Sequence, residues 1–202
     1  YFKQGRGQIH YVAIFSPGGD FVEAMKIGQM IRKLELSTRG PSRFKGQKPD
    51  CNTRFSDLIS SPKNKSNCIC ASAGFMIYVG GADRHAGHLT IHRPRYASDA
   101  FGTLAPAMAK MKTDEMNGMA VSYMKEMEIP SQIIEEVMAV PSSEGRVLDH
   151  DTVVTFLSVE SPSRQEWLQN RCKAFDSKKS QKDVSDCINM AQQDLRIKAF
   201  ED

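Results

Sequence analysis

The sequence S-P-G-G at residues 16–19 constrains the fold of this chain more than any other feature. The run before it, residues 9–15, is β-branched and aromatic and predicts a buried strand. Residues 20–34 place apolar side chains at helical spacing, with Asp20 as N-cap and Glu23 placed to complete a capping box. A strand that breaks into two glycines at a helix start exposes backbone N–H groups that can hold a negative oxygen. The turn therefore predicts an oxyanion hole.

Length and composition predict one globular core. The chain has 202 residues, of which 40% are hydrophobic and 25% are charged, as is ordinary for a globular protein. The net charge of +3 is too small, and the basic residues are too dispersed, to predict a nucleic-acid partner. No stretch approaches the roughly 18 apolar residues needed to cross a bilayer, so no membrane span is predicted.

Strand and helix patterns alternate along the chain and predict an α/β fold. The predicted elements after residue 67 are a strand ending at 69–70, a helix at 71–79, a strand at 88–92, one or two helices at 105–127, a helix at 130–140, a strand at 152–159, and helices at 162–172 and 182–200. Residues 37–67, rich in Ser, Pro, Gly, Lys and Arg, predict a surface insertion with a short helix at 52–59. We therefore expect one domain over residues 1–160 and a C-terminal helical extension over residues 161–202.

Two apolar stripes at helical spacing predict faces that pack in the core. They are Phe21, Val22, Met25, Ile27, Met30, Ile31 and Leu34 in the first helix, and Met108, Met111, Met116, Met119, Met124 and Met127 in the methionine-rich region.

Five cysteines leave at least one thiol without an intramolecular partner. Cys172 and Cys187 lie at facing ends of the two C-terminal helices and predict a bridge across that hairpin, the alternative being two buried thiols. Cys51 with either Cys68 or Cys70 is a second candidate bridge. Such bonds predict an oxidising compartment, a periplasm or the cell exterior. No four-ligand zinc pattern occurs.

Two short motifs supply candidate catalytic side chains. In C-A-S-A-G, residues 70–74, Ser72 lies between small residues where a strand gives way to a helix, which places the Ala73 N–H beside its hydroxyl. A serine at a helix start can also be only a cap. In T-I-H-R-P, residues 90–94, His92 ends a strand and can project into a cleft, or be a structural histidine.

Taken in order, S-P-G-G, A-S-A-G and I-H-R-P resemble the ClpP/crotonase superfamily, and more closely the Clp protease proteolytic subunit. The longer stretches C-A-S-A-G-F-M-I-Y-V-G-G-A-D-R-H and L-T-I-H-R-P-R resemble a group of uncharacterised exported bacterial ClpP-like proteins. The resemblance runs over residues 11–149, apart from the insertion at 37–67. It implies stacked ββα units, a homo-oligomer, export to the periplasm or beyond, and a further strand and helix before the first strand of this sequence.

The resemblance also implies roles for individual residues. Ser72 matches the nucleophile and His92 the general base, while the backbone N–H groups of Gly18 and Ala73 match the oxyanion hole. The implied activity is that of a serine peptidase which acts on peptide or protein substrates through an acyl-enzyme, without a cofactor or a metal. No ATPase partner follows from the sequence.

The third member of the triad is the weak point of the match. The family places an aspartate after the helix that corresponds to residues 130–140, and no aspartate stands at the matching position. Glu144 is the first candidate, Asp149 the second, and Asp151 the third. If none reaches His92, the site is a dyad, or the chain is an inactive binding or assembly module that retains the fold.

Three further readings stay open. Peptidases of the signal peptide peptidase A type pair serine with lysine, and Lys110 or Lys112 could then be the base. The spacing of His85, His88 and His92 is compatible with a metal site, although no further ligand is evident. A crotonase-type acyl-CoA enzyme would share the oxyanion hole, but the sequence has no basic signal for the CoA phosphates.

Overall fold

A computed structural model describes residues 11–42, 48–49, 51, 68–96, 104–174, 176 and 178–198 as a mixed α/β fold. The strands are β1 (Tyr11–Ala13), β2 (Ser37–Arg39), β3 (Asp83–His85), β4 (Thr90–Ile91) and β5 (Arg146–Val147). The helices are α1 (Phe21–Lys33), α2 (Ala73–Val79), α3 (Pro106–Glu126), α4 (Ser131–Ala139), α5 (His150–Thr152), α6 (Pro162–Cys172) and α7 (Gln181–Lys198). A π-helical segment, Val153–Leu157, continues from α5. None of the described helices combines the length and apolarity needed to cross a membrane.

The strands form two small sheets. β1, β2 and β3 are parallel, in that order, and β4 pairs with β5 in antiparallel register, with Thr90 opposite Val147. The predicted strand at residues 9–15 is β1 in its described part, but it is an edge strand, so Tyr11 and Val12 are only half-buried and Ile14 alone is buried. As predicted, Asp20 caps α1, since its carboxylate accepts the Glu23 N–H at 2.9 Å.

The first residues of the predicted surface insertion, 37–39, lie instead in the central strand of the first sheet. Residues 37–39 form β2, between β1 and β3, although their composition is typical of a loop. Thr38 is fully buried, and its hydroxyl donates to the Tyr78 carbonyl at 2.7 Å. Because this hydrogen bond satisfies the hydroxyl, a polar residue that is typical of an exposed loop can be buried here. The predicted helix at 52–59 lies outside the described residues.

Helices α1 and α2 cross at two glycines. A methyl group at Gly80 would lie 2.5 Å from the Gly28 Cα, so the two backbones touch. Tyr123 of α3 closes the same contact, because its hydroxyl donates to the Met76 carbonyl at 2.8 Å while its ring is buried. This crossing fixes the position of α2, the helix that begins at Ser72.

Two arginines hold the C-terminal ends of α2 and α3 together. Arg84 of β3 is 1% exposed, and its Nη1 donates to the Val79, Gly81 and Met127 carbonyls at 3.3–3.5 Å. Arg32 of α1 donates through Nη2 to the same three carbonyls at 3.0–3.5 Å. A helix C-terminus carries partial negative charge, so two guanidinium groups there are favourable.

The two predicted apolar stripes are buried only in part. In α1, Met25 and Ile31 are buried, whereas Val22, Ile27 and Met30 are 43–63% exposed. In α3 and its C-cap Met127, the buried methionines are Met116, Met124 and Met127, whereas Met108, Met111 and Met119 are exposed. The prediction fails because the first half of α3 extends beyond the core, and no residue between Pro106 and Glu115 is buried.

The prediction of a strand at residues 152–159 is wrong. The β-branched run Val153–Leu157 is π-helical because Asp149 starts a helix just before it: its carboxylate accepts the N–H groups of Asp151 and Thr152. The Tyr78 hydroxyl then donates to the Leu157 carbonyl at 2.8 Å and holds the segment against the core.

Helices α6 and α7 pack against the end of α1. The Glu35 carboxylate pairs with Arg164 of α6 at 3.0 Å, and Gln192 of α7 donates to the Glu35 carbonyl at 3.1 Å. The predicted disulfide between Cys172 and Cys187 joins the two helices.

A second disulfide, between Cys51 and Cys68, decides between the two partners that the sequence left open for Cys51. Cys70 is a buried free thiol.

Two glycine substitutions test the crossing of α1 and α2. A methyl group at Gly28 would overlap the Tyr123 hydroxyl, whereas one at Gly118 of α3 would have no neighbour within 4 Å. We expect Gly28→Ala to lower the free energy of unfolding by about 1–3 kcal/mol through overpacking. Gly118→Ala should raise it by about 1 kcal/mol through helix propensity. Urea denaturation with the disulfides intact measures both, and effects of the same sign would contradict the crossing.

Candidate active site

Three neighbouring chain segments run parallel toward one edge of the molecule. The Ser16 N–H donates to the Ile69 carbonyl at 2.7 Å, and the Ser16 carbonyl accepts the Ala71 N–H at 3.0 Å. On the other side of that middle segment, the Thr90 N–H donates to the Cys70 carbonyl at 3.0 Å. These are the parallel bridges Ser16–Cys70 and Ala71–Thr90.

The three predicted motifs therefore end side by side. Gly18 follows the first segment by two residues, and Ser72 and His92 directly follow the middle and third segments. Neighbouring strands lie about 4.8 Å apart, so the pairing alone brings these residues to one edge. The spacing between the motifs along the chain could not show this.

Ser72 has a strained backbone. Its φ of 55° and ψ of −122° lie in a region that non-glycine residues rarely occupy. Such a conformation costs about 1–3 kcal/mol and persists only where the surroundings enforce it. Serine nucleophiles at a sharp strand-to-helix turn have this kind of geometry. The half-buried Ser72 side chain makes no capping hydrogen bond to α2, so it is not the cap that a structural reading predicts.

Gly18 lies directly against Ser72. A methyl group at Gly18 would lie 3.1 Å from the Ser72 Cβ and 3.3 Å from its Oγ, and the Gly18 φ of 143° also disfavours a side chain. Close approach and backbone conformation both require glycine here.

The two predicted oxyanion donors differ in their hydrogen bonding. The Gly18 N–H donates to the Ser16 Oγ at 3.2 Å, and the same hydroxyl donates to the Gly18 carbonyl at 2.9 Å. The Ala73 N–H, at the buried first position of α2, has no hydrogen-bond partner among the described residues.

The His92 imidazole is oriented by a main-chain carbonyl. Its Nδ1 lies 2.8 Å from the carbonyl oxygen of Arg93. A carbonyl can only accept, so this hydrogen bond requires the proton on Nδ1 and leaves Nε2 as an acceptor in the neutral ring. Within the described part of the chain, no hydrogen bond joins the ring to the Ser72 Oγ.

Among the described residues, none of the candidate third carboxylates is hydrogen-bonded or ion-paired to His92. Glu144 is exposed, and among the described residues no hydrogen bond or ion pair joins its carboxylate to the imidazole, although β5 begins two residues after Glu144 and pairs with β4, which ends directly before His92. Asp149 is engaged as the cap of α5, where its carboxylate also accepts a hydrogen bond from the Thr152 hydroxyl. Asp151 lies within α5 and is exposed.

The alternative bases and metal ligands lie in other environments. Lys110 and Lys112 lie on the exposed half of α3 and pair with Asp114 and Glu115. The hydrogen bond that His85 Nε2 donates to the Asp83 carboxylate, 2.8 Å away, raises the pKa of His85. In the part of the chain that the structure describes, no group of three or more His, Cys, Asp and Glu side chains is arranged to hold a metal ion.

Two groups at the site were not predicted from the sequence. The sequence predicts Ser16 only as part of a turn, although a serine hydroxyl in a turn can bond the backbone two residues on. The Arg93 carbonyl carries no sequence signal, because any residue provides one. Burial raises the pKa of the nearby Cys70 thiol to about 12, so this thiol is not a competing nucleophile.

No protein-family model matches the chain, and a comparison with curated proteins finds no match. A functional assignment therefore has to come from the geometry and chemistry of residues 16–19, 70–74 and 90–94.

Gly18→Ala and Gly19→Ala test the contact with Ser72. Both glycines have positive φ, 143° and 156°, but a methyl group at Gly19 would meet nothing within 4 Å. We expect both variants to lose stability through backbone strain of about 1–3 kcal/mol. Gly18→Ala should lose about 1 kcal/mol more, because it also pushes against Ser72. Urea denaturation of the two variants measures the difference, and equal losses would contradict the close contact.

Proposed function

We propose that this chain is a ClpP-like serine hydrolase of the ClpP/crotonase fold, which cleaves peptide bonds through an acyl-enzyme on Ser72. The observation that carries the proposal is the convergence of Gly18, Ser72 and His92 at the ends of three parallel segments. The order of the three motifs along the chain resembles that of the family, and their pairing brings them to one edge.

The proposed reaction begins at the Ser72 hydroxyl. Its Oγ bonds to the carbonyl carbon of the substrate while its proton passes to the His92 Nε2. The tetrahedral intermediate collapses as the C–N bond breaks, and His92 returns the proton to the leaving amine. Water then attacks the ester, with His92 as base, and releases the acid and Ser72.

Two features support His92 as the base. The Arg93 carbonyl holds the proton on Nδ1, which leaves Nε2 able to accept one. Catalytic hydrogen bonds are often long before the substrate binds, so the absence of a Ser72–His92 bond is compatible with this role. A backbone carbonyl, rather than a carboxylate, then orients the imidazole, and the site works as a dyad.

The oxyanion of the intermediate would be held by the N–H groups of Gly18 and Ala73. The Ala73 N–H is available for this, because the first N–H groups of a helix have no acceptor within the helix. Removing one donor of this kind typically costs about 3–4 kcal/mol of transition-state stabilisation.

The setting of the enzyme belongs to the same proposal. Two disulfides fit an oxidising compartment, and we propose that the protein is exported from a bacterial cell. Exposed apolar side chains on α1 and α3, among them Met30 and Met111, support a homo-oligomer.

A second candidate is an inactive binding or assembly module with the same fold. The specific observation in its favour is that neither Ser72 nor Glu144 is hydrogen-bonded to His92 within the described residues.

A fluorophosphonate probe distinguishes the two candidates. The Ser72 Oγ would displace fluoride from phosphorus as its proton passes to His92. We expect the wild type to be labelled, Ser72→Ala to lose labelling altogether, and His92→Ala to be labelled about 100- to 10,000-fold more slowly because the base is missing. Intact-protein mass spectrometry measures each rate.

Ser143→Ala, at an exposed turn serine, is the matched control and should be labelled like the wild type. If the wild type and Ser72→Ala are labelled equally, Ser72 is not a nucleophile and the inactive module remains.

The carboxylate variants test the dyad. Glu144→Gln and Asp149→Asn should be labelled within about twofold of the wild-type rate, because neither carboxylate is hydrogen-bonded to His92 and asparagine caps a helix as well as aspartate. A rate lowered more than tenfold in Glu144→Gln would instead make Glu144 the third member of a triad.

A further inference from the structure

The Ser16 hydroxyl is hydrogen-bonded to the Gly18 N–H, one of the two proposed oxyanion donors. It accepts the Gly18 N–H at 3.2 Å and donates to the Gly18 carbonyl at 2.9 Å. A hydroxyl has one proton and two lone pairs, so it can make both bonds at once. The Gly18 N–H is thus satisfied within its own turn, whereas the Ala73 N–H has no partner among the described residues.

The backbone of Ser16 is fixed by hydrogen bonds to a neighbouring segment, whereas its side chain can rotate. Its N–H and its carbonyl are both engaged with the middle segment, at Ile69 and Ala71. Gly74 packs closely against it, since a methyl group there would lie 3.1 Å from the Ser16 carbonyl oxygen. The half-buried hydroxyl can leave Gly18 only by rotation about its own χ1, a motion that takes picoseconds to nanoseconds.

We propose that Ser16 gates the oxyanion hole: its hydroxyl holds the Gly18 N–H in the resting enzyme and turns away when an oxyanion forms. The inference rests on the proposed function, in which Ser72 is the nucleophile. Hydrogen bonds to a charged acceptor are roughly twice as strong as those between neutral groups. The developing oxyanion therefore displaces the hydroxyl, which a neutral substrate carbonyl does poorly.

A Ser16 hydroxyl that gates the oxyanion hole and one that only stabilises the turn predict opposite effects of its removal on the reaction rate at Ser72. If Ser16 only stabilised the turn, its removal would slow the reaction at Ser72. If it competes for the Gly18 N–H, its removal makes the donor available in advance and speeds the reaction.

Ser16→Ala is the test. We expect a fluorophosphonate to label it about two- to tenfold faster than the wild type, since the variant no longer has to break a neutral hydrogen bond. Ser143→Ala controls for the loss of a hydroxyl elsewhere and should be labelled at the wild-type rate. Labelling of Ser16→Ala at the wild-type rate, or more slowly, overturns the gate and leaves the proposed function standing. No labelling of Ser72 in either protein overturns both.

The wild type alone provides a second measurement that does not depend on the folding of the variant. When the probe reacts with Ser72, the acceptor of the Gly18 N–H should change from the hydroxyl to a phosphonyl oxygen. The amide proton resonance of Gly18 should then move downfield in the NMR spectrum of the labelled protein. An unchanged resonance in fully labelled protein overturns the gate.

Discussion

The rest of the structure depends on two positive charges placed where two helices end. Arg32 and Arg84 bind the same carbonyls, at the C-termini of α2 and α3, where the helix dipoles would otherwise repel each other. With its C-terminal end held there and its middle held against α1 at Gly28, α2 has little freedom to move. Its other end is Ser72, so a cluster at one end of a short helix fixes the strained residue at the opposite end.

The candidate site combines rigid and adjustable parts. Gly18 and Ser72 are fixed by the backbone, through the parallel pairing and their close contact. The Ser16 hydroxyl makes two neutral hydrogen bonds, both with Gly18, and the His92 ring makes one, with the Arg93 carbonyl, so each side chain can rotate without moving the backbone. A fixed backbone at Gly18 and Ser72 with a rotatable ring at His92 suits a reaction that needs a fixed nucleophile and a mobile proton carrier. The same combination would suit a binding site less well, because mobile polar groups lose entropy on binding.

Local signals in the sequence predicted local structure. The Asp20 cap, α6 and the Cys172–Cys187 disulfide follow from chemistry within a few turns of chain, and the structure confirms them. Features that depend on distant partners were missed. Residues 37–39 form the central strand, where the Tyr78 carbonyl accepts the Thr38 hydroxyl, and the Tyr78 hydroxyl donates to the Leu157 carbonyl of a helical segment whose side chains favour a strand. The three motifs could be recognised, but their arrangement needed the hydrogen bonds between segments.

The free cysteine has a consequence for how the chain acquires its disulfides. Cys70 lies two residues from Cys68, so both are potential partners for Cys51 in the unfolded chain. Only a thiolate attacks a disulfide, and burial raises the pKa of Cys70 to about 12, which keeps it protonated in the folded protein. Once residues 69–71 are packed, the competing thiol is both out of reach and chemically silent. Packing thus keeps Cys70 from scrambling the Cys51–Cys68 bond in the folded chain.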